Sequence, residues 1–251
     1  MSEFIHFSDI DPLHPTSWIS KKILSIDIDW ASDEVLTDNA SLLEEAGVKV
    51  CFFVTHNAPL LSRLRASDRV ELGLHPNFDP LLRGEAGGGT AADIIEEVRK
   101  LVPGARVLRG HSMTTSGRWL DVYKSAGITH LSNYFMFGVN AIRPFFQVNG
   151  LMEVPVYFAD DGYLYLENSR RVTFDIGEES ADTHQGLRVY NFHPIHVFLN
   201  TEHLDRYERT RHLHHNPEEL IKHRYEGVGT RTRLVELLKL AESVGSNNEQ
   251  T

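Results

Sequence analysis

The sequence predicts an α/β fold whose strands run mainly parallel and close, or nearly close, into a barrel. Two observations carry this expectation. Short apolar runs alternate with amphipathic, helix-length segments, and four of those runs end in polar residues spaced two apart. Repeated β-α units imply parallel strands, and barrels of such strands present their functional groups at the C-terminal strand ends. A chain of 251 residues can bury a substantial core. It shows no Ser/Pro/Gly-rich linker and no internal repeat, so it reads as one domain over residues 1–242, with a polar tail at 243–251 expected to be disordered.

The elements follow in order. "ILSIDI" is a first strand; Ser32 and Asp33 can cap a helix that runs to Glu45, where Gly47 stops it. "VKVCFFV" is a second strand, "APLLSRLRA" a short helix, and "RVELGL" a third strand that leads into His75. After the glycine-rich loop "RGEAGGGT", Thr90 can cap the helix "AADIIEEVRKLV". "RVLRG", "GRWLDVYKSAG" and "ITHLS" continue the alternation as strand, helix and strand. Between Tyr134 and Gly186 the pattern is less regular; "LMEVPVY" and "YLYLEN" read as strands without a place in the sheet. "LRVYNF" is a late strand and "TRTRLVELLKLAESV" a closing amphipathic helix.

Composition removes several classes of function. Lys and Arg number 25 against 35 Asp and Glu, a net charge of -10, and the basic residues form no stripe with interleaved aromatics, so a nucleic-acid partner is not expected. No run of about 18 apolar residues occurs, and the N-terminus lacks a basic start followed by an apolar core, so the expectation is a cytoplasmic protein without a membrane span. The single cysteine, Cys51, sits in an apolar strand, where a thiol is structural.

Side chains at i and i+2 of a strand share a face, about 6 to 7 Å apart. The polar pairs at strand ends are Asp27 with Asp29, His75 with Asn77, Arg109 with His111, and Asn191 with His193. Any one pair is ordinary for a strand entering a loop, and His75 alone could do no more than hydrogen-bond a buried carbonyl. Four pairs holding two carboxylates, three imidazoles and a guanidinium point to a metal-assisted hydrolase.

The segments "SIDIDW", "CFFVT", "GLHPNF", "VPGARVLRGHSM", "VPVYFADD", "FHPIHVFLNTE" and "YEGVGTRTRLVELL" stand in an order that resembles the polysaccharide deacetylases of the NodB-homology superfamily, most closely the WbmS-like branch associated with O-antigen and other surface polysaccharides. The resemblance covers nearly the whole chain. It implies a deformed or incomplete (β/α) barrel of the NodB-homology type, a divalent metal in its C-terminal mouth, and removal of an acetyl group from an N-acetylated sugar. The superfamily's first motif falls on Asp27 as base and Asp29 as metal ligand, and its second supplies His75 as a ligand. Its usual H-x-x-x-H spacing is broken, because Asp79 stands four residues after His75. Two residues are candidates for the third ligand. Asp79 has the spacing, yet precedes Pro80 in a turn-like "NFDP", where an aspartate commonly satisfies local backbone groups. His111 belongs to an "R-x-HS" pattern shared with the branch, on a strand expected beside that of His75, and is the preferred reading.

The resemblance further implies that Arg109 holds Asp27 ionised and that His193 is the general acid, which an amine leaving group needs. One carboxylate and two neutral imidazoles suit Zn, while Co, Ni or Mn fit the same ligands. His196 reads either as a pocket residue or as a packing histidine. Asp160 or Asp161 is expected to orient a catalytic group or to bind a sugar hydroxyl, with Asp161 the substrate-binding candidate beside Asn77 and Ser112; shaping a turn is the alternative reading of Asn77. "RHLHHNPEEL" resembles a metal cluster, but His212, His214 and His215 adjoin a helix boundary and read as a solvated helix end. Gly229, Thr230 and Arg231 mark a helix start that either holds an anion or is an ordinary cap. The expected partner is an N-acetylated sugar, free, nucleotide-linked or lipid-linked. Two rival readings are an amidohydrolase of non-sugar amides and a sugar-binding protein without turnover.

Overall fold

The computed structural model describes residues 4–85, 87, 89–170 and 186–246. Its frame is one nine-stranded sheet. The strands are β1 (Lys22–Asp27), β2 (Val50–Val54), β3 (Val70–Leu74), β4 (Val107–Leu108), β5 (His130–Leu131), β6 (Phe145–Phe146), β7 (Met152–Glu153), β8 (Phe158–Ala159) and β9 (Arg188–Phe192). They lie in the order β6-β7-β5-β4-β3-β2-β1-β9-β8. Every pairing is parallel except the β6–β7 edge. The sheet curls into a half-barrel with helices packed around it, as the sequence predicts.

The central strands are buried along their whole length, which is why they read as continuous apolar runs rather than as an alternation. The alternation survives as a division between two cores. Leu24, Ile26, Phe52 and Phe192 pack with helices Asp33–Ala46, Leu60–Arg65 and Thr230–Ser246 in the outer core. Ile23, Cys51, Phe53, Val107 and Val189 point to the other side and pack with Phe7, Ile10 and Trp18. The N-terminal segment therefore fills the base of the half-barrel. Phe7 meets Phe53 edge-on with centroids 5.6 Å apart, and the backbone N–H groups of Phe7 and Ser8 donate to the Glu71 carboxylate at 2.7 and 3.2 Å. Continuing outward along the same inner face, the side chains that follow Ile23, Phe53, Val107 and Val189 at the strands' C-terminal ends belong to the site.

Local signals hold at several helix ends. Thr90 and Asp93 form a reciprocal capping box on helix Ala91–Leu101, and Gly47 ends helix Asp33–Ala46 with φ +61°. Ser32 stands at that helix's N-cap but makes no side-chain capping bond. Three expectations are corrected. "YLYLEN" is not a strand: it lies inside helix Asp160–Arg170, with Tyr163 and Leu164 buried and Tyr165 exposed. Six residues of mixed apolar character fit either period, and the aspartates in the first turn favour a helix N-terminus. The closing helix runs to Ser246, four residues into the segment expected as a disordered tail; residues 247–251 lie outside the described residues. His111 is not on a strand: β4 ends at Leu108, and His111–Met113 form a single tight turn. Among the described residues no helix is long and apolar enough to cross a membrane.

One buried carboxyl has a structural duty. Glu153, on β7, is fully buried and accepts from the backbone N–H of Asn133 at 2.6 Å and from Gln147 Nε2 at 3.2 Å. Burial pushes its carboxyl up to about 7 from an ordinary 4.5, against those hydrogen bonds. Because the folded value is raised, stability is fully present below about 4.5 and is lost as pH rises towards 7. Glu153→Gln keeps an oxygen for Asn133 and never ionises. Urea titrations from pH 4.5 to 8 should show the wild type losing up to roughly 3 kcal/mol relative to the glutamine variant; parallel profiles would exclude the effect.

Candidate active site

The floor of the site is a buried guanidinium. Arg109 leaves β4 with no solvent exposure, and its Cζ lies 4.2 Å from the centroid of the Phe53 ring. Its Nη1 donates to Asp27 Oδ1 at 2.8 Å, to Asn191 Oδ1 at 2.5 Å and to Ser25 Oγ at 3.1 Å. Its Nε and Nη2 donate to the carbonyl and hydroxyl of Ser132 at 3.0 and 2.9 Å. Asn191 Nδ2 donates to the other Asp27 oxygen, Oδ2, at 2.8 Å. Burial alone would push the Asp27 carboxyl up; the Arg109 charge, with smaller help from His75 and His193, holds it below the usual carboxylate range.

Beside this floor stand Asp29, His75 and His111. Asp29 takes a left-handed backbone with φ +43°, a conformation aspartate tolerates better than most residues. Its carbonyl accepts from the Thr55 hydroxyl and lies 2.7 Å from His56 Nδ1. The turn brings Asp29 Oδ1 to 3.3 Å from both His75 Nε2 and His111 Nδ1. His75 Nδ1 lies 2.7 Å from the Arg109 carbonyl; since a carbonyl only accepts, Nδ1 carries the proton and Nε2 keeps its lone pair towards Asp29. His111 is held by its backbone N–H on the Pro76 carbonyl at 2.9 Å. Gly110 before it has no room for a side chain, because a Cβ would lie 2.1 Å from the Thr114 carbonyl.

This trio fits a divalent cation. Its three ligand atoms lie within 4.8 Å of one another, and Asp29 Oδ1 and His111 Nδ1 are buried with no well-formed hydrogen bond. Burial would raise the Asp29 carboxyl; the imidazoles of His111 and His75 hold it well below the ordinary range. Asp79 is not part of the group: it opens the short helix Asp79–Leu82 and lies 4.0 Å from Arg83 across one turn.

The fourth imidazole has a different setting. His193 caps the C-terminal end of β9, and its Nδ1 and backbone N–H both meet the buried Asp160, at 2.6 and 2.9 Å. Its Nε2 points to Asp27 Oδ2 at 3.8 Å and Asp29 Oδ2 at 3.9 Å. Burial opposes its charge, but Asp161 and Asp160 raise its pKa well above the ordinary imidazole value. His196, one turn on, is buried with its ring centroid 6.0 Å from that of His193. Its Nδ1 lies 3.2 Å from the Thr201 hydroxyl, and burial lowers its pKa.

These groups open into a cavity of about 600 Å³, whose wall includes Ser112, Asp161, Tyr165, His196 and Tyr207. The structure thus gathers Asp27, Asp29, His111, Ser112, Asp161, His193 and His196 around one space, with His75 and Arg109 directly against Asp29 and Asp27. Asn77 does not line that cavity: its Oδ1 accepts from the Asp79 N–H at 2.9 Å and shapes the turn after His75. His212 and His215 are exposed as expected, whereas His214 is half-buried, its ring 4.7 Å from that of Tyr207. At the helix start, Arg231 is paired with Asp38, and the Gly229 N–H donates to Thr232 Oγ1 at 2.7 Å, so these groups are engaged internally and form an ordinary cap. Sequence reasoning missed the part played by Asn133, Ser25, Ser132 and Tyr207. The first three carried a faint signal, being polar residues inside or directly after buried strands.

Comparison with known proteins gives a consistent result. The family model for WbmS-like polysaccharide deacetylases matches residues 24–211. The crystal structure of WbmS from Bordetella bronchiseptica, described as a polysaccharide deacetylase involved in O-antigen biosynthesis, is 36% identical, with a TM-score of 0.87 over 95% of this chain and 98% of its own. A polysaccharide deacetylase structure from Mycobacterium smegmatis is 16% identical, with a TM-score of 0.46 over 69% of this chain and 76% of its own. A CE4 family pseudoenzyme from Bacillus anthracis is 17% identical, with a TM-score of 0.41 over 93% and 72%; neither of these two distant likenesses carries an argument. No protein of curated function matches. With its family model matched over three quarters of its length and a relative of 36% identity aligned almost end to end, the chain belongs to the WbmS-like polysaccharide deacetylase family.

Proposed function

We propose that this protein is a divalent-metal-dependent hydrolase that removes the N-acetyl group from an amino sugar during assembly of a surface polysaccharide of the O-antigen kind, in the cytoplasm. The substrate is an N-acetylated sugar unit, free or carried on a nucleotide or lipid. The observation that carries this reading is the trio Asp29, His75 and His111 set directly against the buried Asp27–Arg109 pair. The likeness to a protein described as acting in O-antigen biosynthesis supports the setting.

Asp29, His75 and His111 would hold the ion, with zinc the best match to two imidazoles and a carboxylate and cobalt, nickel or manganese fitting the same set. A divalent ion there supplies Lewis acidity, polarising the acyl carbonyl and making the attacking water more acidic. The protein's own groups do the rest. Asp27 takes the proton of that water at Oδ2, since Oδ1 is held by Arg109, and the Asn191 amide keeps the carboxylate plane fixed. As the water oxygen bonds to the acyl carbon, the C–N bond breaks, and the nitrogen takes a proton from His193 Nε2. Asp160 on Nδ1 orients that ring and favours its charged form. Asp161, Ser112 and His196 line the space where the sugar sits.

Three measurements test this. Elemental analysis of purified protein should find about one divalent ion per chain in the wild type and in Asp79→Ala, and well under half of that in His75→Ala and His111→Ala; retention in His111→Ala with loss in Asp79→Ala would move the third ligand to the loop. Metal-loaded protein should release acetate from an N-acetylated sugar, nucleotide sugar or oligosaccharide, and chelation should abolish the release; no acetate from any of the three classes would remove the hydrolase reading. In that assay Asp160→Asn should lower kcat by about 10² to 10⁴ while leaving metal content unchanged, and an unaltered kcat would separate Asp160 from the acid.

A further inference from the structure

The two histidines of the candidate metal trio are not held in the same way. A histidine that binds a metal through one ring nitrogen commonly donates from the other to a fixed acceptor, and that bond sets the orientation of the ring. His75 follows this pattern, with its Nδ1 on the Arg109 carbonyl. His111 does not. Its Nδ1 is the atom turned to Asp29, and among the described residues its Nε2 meets no acceptor of the protein.

Backbone contacts place His111 without turning its ring. The N–H on the Pro76 carbonyl and the crowded Gly110 before it locate the Cα, while the two side-chain torsions stay free to rotate between their wells. Rotation carries Nδ1 away from Asp29 Oδ1, so an ordered site needs the imidazole held by something other than a hydrogen bond.

Two rings stand against it. His75 meets it edge-to-face, with centroids 5.6 Å apart and planes at 85°. Trp30 meets it in the same manner at 5.0 Å and 76°. His75 belongs to the trio, but Trp30 is neither a candidate ligand nor a core residue. It directly follows Asp29, is 48% exposed, and does not line the cavity. Among the described residues, the imidazole of His111 is the ring it meets.

We propose that Trp30 is a positioning residue for the metal centre: its indole braces the His111 imidazole edge-to-face, keeps Nδ1 directed towards Asp29, and so raises the affinity of the trio for a divalent cation. The turn that presents Asp29 therefore also carries the brace of a second ligand. The inference rests on the metal reading of Asp29, His75 and His111, and it is independent of which acyl compound is hydrolysed.

Zinc affinity is the test, because it needs no turnover. Zinc is titrated into the metal-free protein in competition with a chromophoric chelator. Losing one edge-to-face contact corresponds to about a 3- to 10-fold change, and Trp30→Ala and Trp30→Leu should each weaken zinc binding by that factor. Trp30→Phe keeps a ring in place and should stay within about twofold of the wild type. The metal-free Tm of all three variants should lie within a few degrees of the wild type. Unchanged affinity in Trp30→Ala would overturn the proposal. So would a Trp30→Leu variant as tight as the wild type, or a Trp30→Phe variant as weak as Trp30→Ala, since the aromatic edge would then not be what acts. A weakened site accompanied by a clear drop in the metal-free Tm assigns Trp30 to the stability of the turn and likewise overturns it. A wild type that takes up no zinc removes the metal reading and this inference together. Zinc binding that depends on the aromatic ring at position 30, in a protein that releases no acetate, upholds the inference and sinks the deacetylase reading alone.

Discussion

The architecture of the site turns on a guanidinium that has no water. Arg109 is fully buried, and an unpaired charge in that position would be strongly destabilising. The fold answers with partners from both sides of the half-barrel: Ser25 and Asp27 from β1, Asn191 from β9, and both oxygens of Ser132 after β5. Strands far apart in the sheet order are thereby tied at one point near their C-terminal ends. Below it, the Phe53 ring and then Phe7 continue the column to the base. Removing either member of the Asp27–Arg109 pair leaves the other buried and uncompensated, at a cost of about 3–5 kcal/mol. The same pair therefore governs both stability and the ionisation of the proposed base.

The residue acts through its backbone too. While its side chain holds Asp27, its carbonyl receives the Nδ1–H of His75, and the chain just beyond it turns at Gly110 to present His111. Asp27 in turn starts the two-residue step to Asp29, where the left-handed backbone swings the second carboxylate onto both imidazoles. Base and candidate ligands are thus set relative to one another by covalent geometry and three buried hydrogen bonds, with little freedom left for any of them.

Much of this was legible in the sequence, for a physical reason that also defines the limit. Strand periodicity places residues two apart on one face, so Asp27 with Asp29 and Asn191 with His193 identify strand ends facing a common space. The parallel order that makes those ends neighbours follows from the β-α alternation. Periodicity fails where the backbone leaves the strand. His111 reaches the site from a turn in which Ser112 and Met113 both have φ of +54°, and Asn77, two residues after His75, is turned away to cap Asp79. "YLYLEN", inside the helix that starts at Asp160, fits a strand period as well as a helical one over six residues, although the adjacent Asp160 that starts the helix is the residue that holds His193. Asn133 and Ser132 are polar residues after a two-residue strand, and only the three-dimensional pairing with Gly110 and Arg109 gives them meaning.

Three histidines of the site share a residue type and divide by what each Nδ1 meets. That of His75 faces a carbonyl, which fixes the neutral tautomer and leaves a lone pair on Nε2, the form a cation requires. That of His193 faces a carboxylate, which stabilises the imidazolium and so suits a group that must deliver a proton from Nε2. That of His196 faces a hydroxyl in a buried place, which supports neither charge nor a committed lone pair and leaves a neutral ring in the wall. For His75 and His193 the partner of Nδ1 comes from another element, the chain after β4 and the start of the Asp160–Arg170 helix; for His196, inside the Pro194–Leu199 helix, it is Thr201 just beyond that helix. Exchanging the partners would exchange the roles, because the imidazoles themselves are chemically identical. A sequence can list three such histidines, but only the fold sets the Nδ1 of one against a carbonyl, of another against a carboxylate and of the third against a hydroxyl.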